Sequence, residues 1–438
     1  MNASPNILVL GASGLIGHFL TEDLRARGFQ VTGIARKFPA APTTSPLDLE
    51  LPVMAMDPAA LALLLRDHAI DVVVNCLGVL QDSPVSDTRA VHCDFVQRLL
   101  EAIKACSRAI RLIHISIPGS AKDDRTAFSA TKRKAEQIIA ASGVCYAILR
   151  PGFVIAPAAF GGSAMVRSFA ALPFAVPATE SAKPFQPVAV EDIAATVAWL
   201  AVRDLDEAPT NAVTWDLMQK QPITLGEVIE SFRRSFGTSD WPRVRLPAFL
   251  LEFGVKLADI AGWLGWQSPM RSTAMIELRR GVRGDPSAWI GTTGIAPTEL
   301  GHATRAATIQ DKWFARLYLM KALILASLVV FWSVSGFISL FVSYDAAAGI
   351  LSSHHFPPSL VGPITVLTSL MDISVGVLIA FRRTCAIGLI WGIVASLGYM
   401  AGAAILTPDL WIEPLGALVK TGPAIVLMLV ALATLDNR

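Results

Sequence analysis

The chain has 438 residues, 53% of them apolar and only 16% charged, with a net charge of +2. That length fits two or three domains. The near-neutral balance, without a basic block, excludes a phosphate-backbone groove and so nucleic-acid binding. Cys76, Cys93, Cys106, Cys145 and Cys385 form no C-x-x-C pair, and they read as small core residues rather than a disulfide frame or zinc site.

Asn6 to Leu10 is an apolar run that predicts a buried parallel strand. It leads into Gly11-Ala12-Ser13-Gly14-Leu15-Ile16-Gly17 and a helical pattern to Arg27. Gly11 permits the tight turn, Gly14 lets backbone approach a pyrophosphate, and Gly17 lets helix pack on sheet. The helix N-terminus then aims N–H groups at phosphate. The strand before and the helix after supply the context that a bare glycine pattern lacks. No basic, apolar and cleavable leader precedes this strand, so no signal peptide is expected.

Gln30 to Ala35 predicts the second strand, ending at Arg36-Lys37. An acid there would bond the ribose 2′-hydroxyl of NAD; a basic residue instead accommodates the 2′-phosphate of NADP. NADP(H) is therefore favoured over NAD(H). Residues 51–56 read as a third strand, and Asp57 then lies either at the adenine edge or at the cap of the next helix. Residues 71–78 predict a fourth strand, with Asn75 and Gly78 at the carboxyl end where such sheets bind ligands. A helix over 88–106, a strand over 111–116, a helix over 126–139 and a strand over 144–149 follow, with Arg150-Pro151-Gly152 as the turn. This alternation predicts a doubly wound parallel sheet with helices on both faces.

Gly11, Gly14, Gly17, Asn75 to Gly78, Ser116, Lys132 and Arg150 to Gly152 together resemble an extended or atypical short-chain dehydrogenase/reductase, over roughly residues 5–300. The flavour is that of the atypical group containing the nucleotide-binding accessory subunit of respiratory complex I. Pro187 to Ala194 is similar to the family's later helix start, with Asp192 as its acid. The resemblance implies a nicotinamide-binding domain over 1–311 with a substrate lobe within about 153–300. Phe153, Phe160, Phe169, Phe174 and Phe185 in that lobe fit an apolar ligand pocket or ordinary packing. A stretch over 246–266, interrupted by Glu252, Lys256 and Asp259, reads as an amphipathic helix packed on the sheet domain. The other placement puts Trp263 and Trp266 at a membrane interface.

From residue 312 a second domain is expected, with four spans near 317–342, 361–381, 385–406 and 415–435. Lys312, Arg316, Arg382, Arg383 and Arg438 fall on one side of them. The loops with Asp345, His354 and His355, and with Asp409 and Glu413, carry no Lys or Arg. The positive-inside rule places the N-terminal domain in the cytoplasm of an inner (plasma) membrane protein, with the lipid bilayer as partner. The spans resemble the DoxX-like family, and Met371 to Leu378 resembles its acid-x-x-x-Gly pattern. Members are linked to quinone or thiol redox chemistry, and a membrane protein partner is a further expectation. Asp372 lies near mid-membrane, where an acid is functional by default or hydrogen-bonds neighbouring spans. Pairing with Lys420 would lower its cost. Adjacent His354 and His355 lack a third ligand, so no metal is expected.

The resemblance also implies a Tyr-x-x-x-Lys pair, the Tyr moving a proton and the Lys holding the ribose, with a Ser polarising the substrate oxygen. Ser116 and Lys132 fit as catalytic residues, but Phe128 occupies the Tyr position. His114, Asp123, Asp124 and Lys134 lie nearby without the right spacing. Two functions remain open. One is a membrane-anchored reductase of a quinone or lipid carbonyl. The other is a non-catalytic NADP-binding module that stabilises or senses.

Overall fold

The computed structural model describes residues 4–38, 45–82, 87–204, 211–245, 247–266, 268, 270–305, 307–412 and 416–435. Leu246, Glu413, Pro414, Leu415 and Arg438, which enter the sequence reading, lie outside them. The chain divides into two units, Met1–Ala258 with Pro269–Arg316, and Asp259–Ser268 with Leu317–Arg438.

The first unit is built on seven strands: β1 (Asn6–Leu10), β2 (Gln30–Ala35), β3 (Asp48–Glu50), β4 (Val72–Asn75), β5 (Arg111–Ile115), β6 (Tyr146–Pro151) and β7 (Ala212–Leu217). They form one sheet in the order β7-β6-β5-β4-β1-β2-β3, every pairing parallel. Its longer helices are α1 (Leu15–Ala26), α2 (Pro58–Asp67), α3 (Phe95–Ala105), α4 (Ala127–Ala140), α5 (Gly162–Ala171), α6 (Val190–Ala201), α7 (Leu225–Phe236), α8 (Ala248–Trp263), whose residues from Asp259 belong to the second unit, and α9 (Ser272–Arg280). The period-two alternation of a strand sorts the core into two layers. Ile7, Val9, Val72 and Val74 pack with Leu20 and Leu24 of α1 and with Ile193 and Val197 of α6. Leu8, Leu10 and Val73 pack on the other face with Leu61 of α2, Phe95 and Leu99 of α3 and Ile139 of α4. Strand order reverses between β1 and β4, which opens a crevice at their carboxyl ends.

The third strand departs from the expected position. It lies at Asp48–Glu50, and Val53–Ala55 is a single 3-10 turn. Pro52 has no N–H for a ladder, and Val53 N bonds back to Leu51 O at 2.9 Å. A smaller lobe has its own core of Ile155, Val166, Phe185, Val228 and Phe232. The helix expected over 246–266 forms as α8, but six of its apolar side chains are exposed rather than packed on the sheet.

The second unit holds α10 (Ile309–Phe337) from Leu317 onward, and the long helices α11 (Pro358–Ala380), α12 (Cys385–Leu406) and α13 (Ala417–Ala433). Among the described residues, three helical stretches are long and apolar enough to cross a membrane: Ile309–Val342, Pro358–Ala380 and Cys385–Leu406. Where the fourth span is expected, α13 is a shorter apolar helix of 17 residues. One end of the bundle gathers basic groups. Lys321 Nζ donates to Thr434 O, and Arg382 donates to Leu435 O at 3.0 Å, so cations cap the C-terminus of α13. At the other end His354 Nε2 meets Asp409 Oδ1 at 2.7 Å. Its bond to Ile350 O, and then this contact, raise the His354 imidazole above its usual range.

Asp372 is not paired with Lys420, which is exposed near the start of α13. Tyr399 of α12 donates to Asp372 Oδ1 at 2.7 Å, tying α11 to α12. Gly376, the other end of the acid-x-x-x-Gly pattern, lies where a Cβ would come 2.9 Å from Ser333 N. The two ends of the pattern thus make one interhelix hydrogen bond and one close approach of helices.

Candidate nicotinamide site

Gly11 stands at the exit of β1 with φ +82°, a conformation that side chains resist. Its N–H bonds Ile34 O at 2.9 Å, closing the turn against β2. A Cβ on Gly17 would stand 2.8 Å from Gly11 C, so the helix sits too close to the loop for any other residue. Gly14 is the N-cap of α1, and no side chain caps that helix. Ser13 and Gly14 are exposed and Leu15 and Ile16 half-buried, which leaves the first turn open to an anion.

Arg36 and Lys37 are both exposed at the end of β2. Glu50, on the neighbouring β3, accepts from Phe38 N at 2.7 Å and is turned into the loop. The sequence reading missed this acid because it lies on a different strand. Asp57 caps α2, accepting from Ala60 N at 2.8 Å. Pro151 ends β6, where Gly152 passes so close to Gln186 O that no Cβ fits.

The centre of the site forms where α4 crosses the ends of β4 and β5. Asn75 Oδ1 accepts from Leu77 N at 3.1 Å and Asn75 Nδ2 meets His114 Nδ1 at 3.2 Å, fixing the β4 exit. Lys132 lies over that exit and donates to Ile115 O at 2.9 Å and Leu77 O at 3.2 Å. A Cβ on Gly78 would sit 3.4 Å from Lys132 Nζ. Burial pushes the Lys132 amine down to about 8, against the pull of Cys76 and Glu136.

Phe128 is half-buried one turn before Lys132, and the edge of its ring meets His92 at 5.7 Å between centroids. His92 is committed elsewhere. Its Nε2 accepts from Val79 N at 3.2 Å and its Nδ1 meets Thr131 Oγ1 at 2.8 Å. Burial, then Lys132, drives it down to about 3, so it is neutral at working pH. Burial and Lys132 also lower His114.

Ser116 is committed too. Its hydroxyl donates to Glu136 Oε1 at 2.6 Å. Arg150 binds both oxygens of Glu136, at 2.8 and 2.6 Å, and Arg133 adds a contact at 2.8 Å. Burial alone would raise the Glu136 carboxyl; the bonds from Arg150 and Ser116 outweigh it and hold it below the usual range. Asp124 pairs with Arg133 at 3.2 Å and with Arg280 of α9 at 2.9 Å. Arg280 also donates to Pro118 O at 2.7 Å, and Glu277 accepts from Thr126, the cap of α4. Sequence reading found Ser116 but not this network. A buried acid four residues after a buried lysine on α4 was the available signal.

Among the nearby groups considered as proton donors, Asp123 and Lys134 are exposed, Asp124 is ion-paired, and His114 is bonded to Asn75. None replaces the absent phenol. Asp192, at the start of α6, binds Thr298 N at 2.9 Å and Thr298 Oγ1 at 2.7 Å, a tie within the unit. The small lobe carries an apolar recess of about 500 Å³, its open mouth included, lined by Met165, Val166, Phe169, Ile229, Met275 and Leu278. Phe169 lines it, whereas Phe153 and Phe185 stack at 4.7 Å in the lobe core. Among the described residues no cluster of metal-ligating side chains occurs.

Residues 7–216 match the NAD dependent epimerase/dehydratase family and residues 329–429 match the DoxX-like family. A stretch of 113 residues, 26% of this chain, is 34% identical to dTDP-6-deoxy-L-talose 4-dehydrogenase (NAD(P)(+)) of Kitasatospora kifunensis, and it spans 35% of that enzyme's length. The Bordetella bronchiseptica enzyme WbmH, solved in complex with NAD+, superposes with a TM-score of 0.51 at 17% identity, over 69% of this chain and 97% of that one. UDP-glucose-4-epimerase of Stenotrophomonas maltophila, solved with NAD and formylated UDP-arabinopyranose, gives 0.51 at 18% identity, over 73% and 99%. At these identities the two structures establish the fold.

Proposed function

We propose, for a chain that joins an NAD-dependent epimerase/dehydratase-type domain to a DoxX-like domain, that it is a membrane-anchored oxidoreductase passing hydride from NADPH to a hydrophobic, quinone-type acceptor. The observation that carries this reading is the pairing of Phe128 with an engaged Ser116. The first has no proton to give, and the second has its hydroxyl committed to a hydrogen bond with Glu136. A carbonyl acceptor needs a proton from the site as hydride arrives. A quinone takes hydride and then a proton from water, ending as quinol, so the site needs no donor of its own. This favours a quinone over a lipid carbonyl.

The nicotinamide would supply the hydride. Gly11, Ser13, Gly14, Leu15, Ile16 and Gly17 form the turn and helix end that would hold its pyrophosphate. Arg36 and Lys37 would pair with a 2′-phosphate, and Asp57 would lie at the adenine edge. Lys132, with Asn75 and Gly78 shaping its approach and Pro151 closing the far side, would bond the ribose. Arg382 and Arg383, at the basic end of the bundle, support a cytoplasmic side for that end and for the N-terminal domain under the positive-inside rule.

The same two observations favour a second reading, a non-catalytic NADP-binding module. Full-length protein in lipid vesicles, given NADPH and a panel of acceptors, separates them. Oxidation with quinones alone supports the proposal. Binding without oxidation by any acceptor supports the module. Oxidation or epimerisation with UDP- or dTDP-sugars would overturn both.

A further inference from the structure

The helix α8 shows three sectors. Leu251 and Ala258 are buried. Phe249, Leu250, Phe253, Leu257, Ile260 and Trp263 are exposed, Trp263 by 85%. Positions 249, 253, 257 and 260 follow the three-and-four spacing that sets side chains on one helix face. Glu252 and Lys256 are exposed along one flank of that stripe. A helix facing water carries polar side chains outward; this one turns its largest apolar groups outward.

The segment just beyond α8 is fixed to one end of the bundle. Leu264 O accepts from Arg382 N at 3.0 Å. Trp266 Nε1 donates to Ala380 O at 2.7 Å, and the Arg382 guanidinium lies over the Trp266 ring at 5.3 Å. Arg382 and Arg383 stand between α11 and α12, where two membrane-length helices end. Basic and indole side chains at such a boundary mark the change from hydrocarbon to headgroups.

We propose that α8 lies in the plane of the membrane at that boundary, its apolar stripe sunk among lipid chains and Glu252 and Lys256 at headgroup level. A helix of this kind buries its apolar face roughly 5–10 Å deep without spanning. Lipid is the occupant because the stripe runs directly into a segment anchored at the span ends. The inference holds whether or not the protein oxidises NADPH.

The test uses the full chain in vesicles of phosphatidylcholine and phosphatidylglycerol. Phe253→Cys, Leu257→Cys and Glu252→Cys each carry an environment-sensitive fluorophore, with labelling of the parent's own cysteines subtracted. Lipids brominated high on the acyl chain are the quencher. Labels at 253 and 257 should emit to the blue and lose intensity with the brominated lipid, and the label at 252 should lose much less. Equal, weak quenching at all three positions would overturn the proposal. So would blue emission at 253 and 257 without quenching, which is the signature of a second copy or another protein on the stripe.

Discussion

Lys132 is held in a conflict that makes its behaviour measurable. Its amine is buried between two carbonyl oxygens and sits at about 8 rather than 10.5. Between those values the unfolded chain holds the proton and the folded one releases it, so this residue's contribution to stability rises with pH across that window. Cofactor binding runs the other way. A neutral amine gives a weaker hydrogen bond to a ribose oxygen than a charged one. NADPH affinity, measured by fluorescence titration, should fall as pH rises through about 8. In Lys132→Met that step should vanish. Affinity that is flat in the parent from pH 7 to 9 would show that Lys132 does not touch the cofactor. Glycine spacing, Ser116, Phe128 and Lys132 were all legible in the sequence, because their meaning is local. The hydrogen-bond partner of Ser116 was not. Glu136, Arg150, Arg133 and Arg280 come from three separate segments, and only the fold makes them one network.

Up to residue 151 most strands and helices of the first unit were legible, because each apolar run is bounded by glycine, proline or charge; β7, α5, α7 and α9 were not read from the sequence. One departure within the legible part is instructive. Residues 51–56 have strand composition, but Pro52 removes a ladder donor and the pairing moves to Asp48–Glu50. Propensity marked the apolar stretch, and hydrogen-bond supply decided against it. In α8 the period was readable, but which face meets protein was not, since both faces are apolar. The end of β2 carries its own prediction. Exposed Arg36 and Lys37 should make NADPH bind more tightly than NADH. Arg36→Asp should reverse the preference by losing the phosphate contact and repelling its charge. Equal affinities in the parent would remove the 2′-phosphate contact from the account.

The whole molecule joins a domain that matches the NAD dependent epimerase/dehydratase family over residues 7–216 to a bundle whose basic groups gather at one end. The apolar runs were legible from length alone, three as membrane-length helices and the fourth as the 17-residue α13. His354 meeting Asp409 brings the two acidic loops together at the end opposite Lys321 and Arg382. A reporter active only outside the cytoplasm, fused after residue 350, should therefore give signal, and after residue 383 none. The reverse pattern would invert the orientation.

The central claim is that this site moves hydride without a proton donor of its own. Steady-state NADPH oxidation by the parent and by Phe128→Tyr, each offered a soluble quinone and a simple ketone, tests it most directly. The parent should reduce the quinone and leave the ketone almost untouched. Phe128→Tyr places a hydroxyl one turn from Lys132, and it should raise ketone reduction by about 10²–10⁴-fold with little change for the quinone. A parent that already reduces ketones at rates of roughly 1–10³ per second, with no gain from the new hydroxyl, would contradict the account.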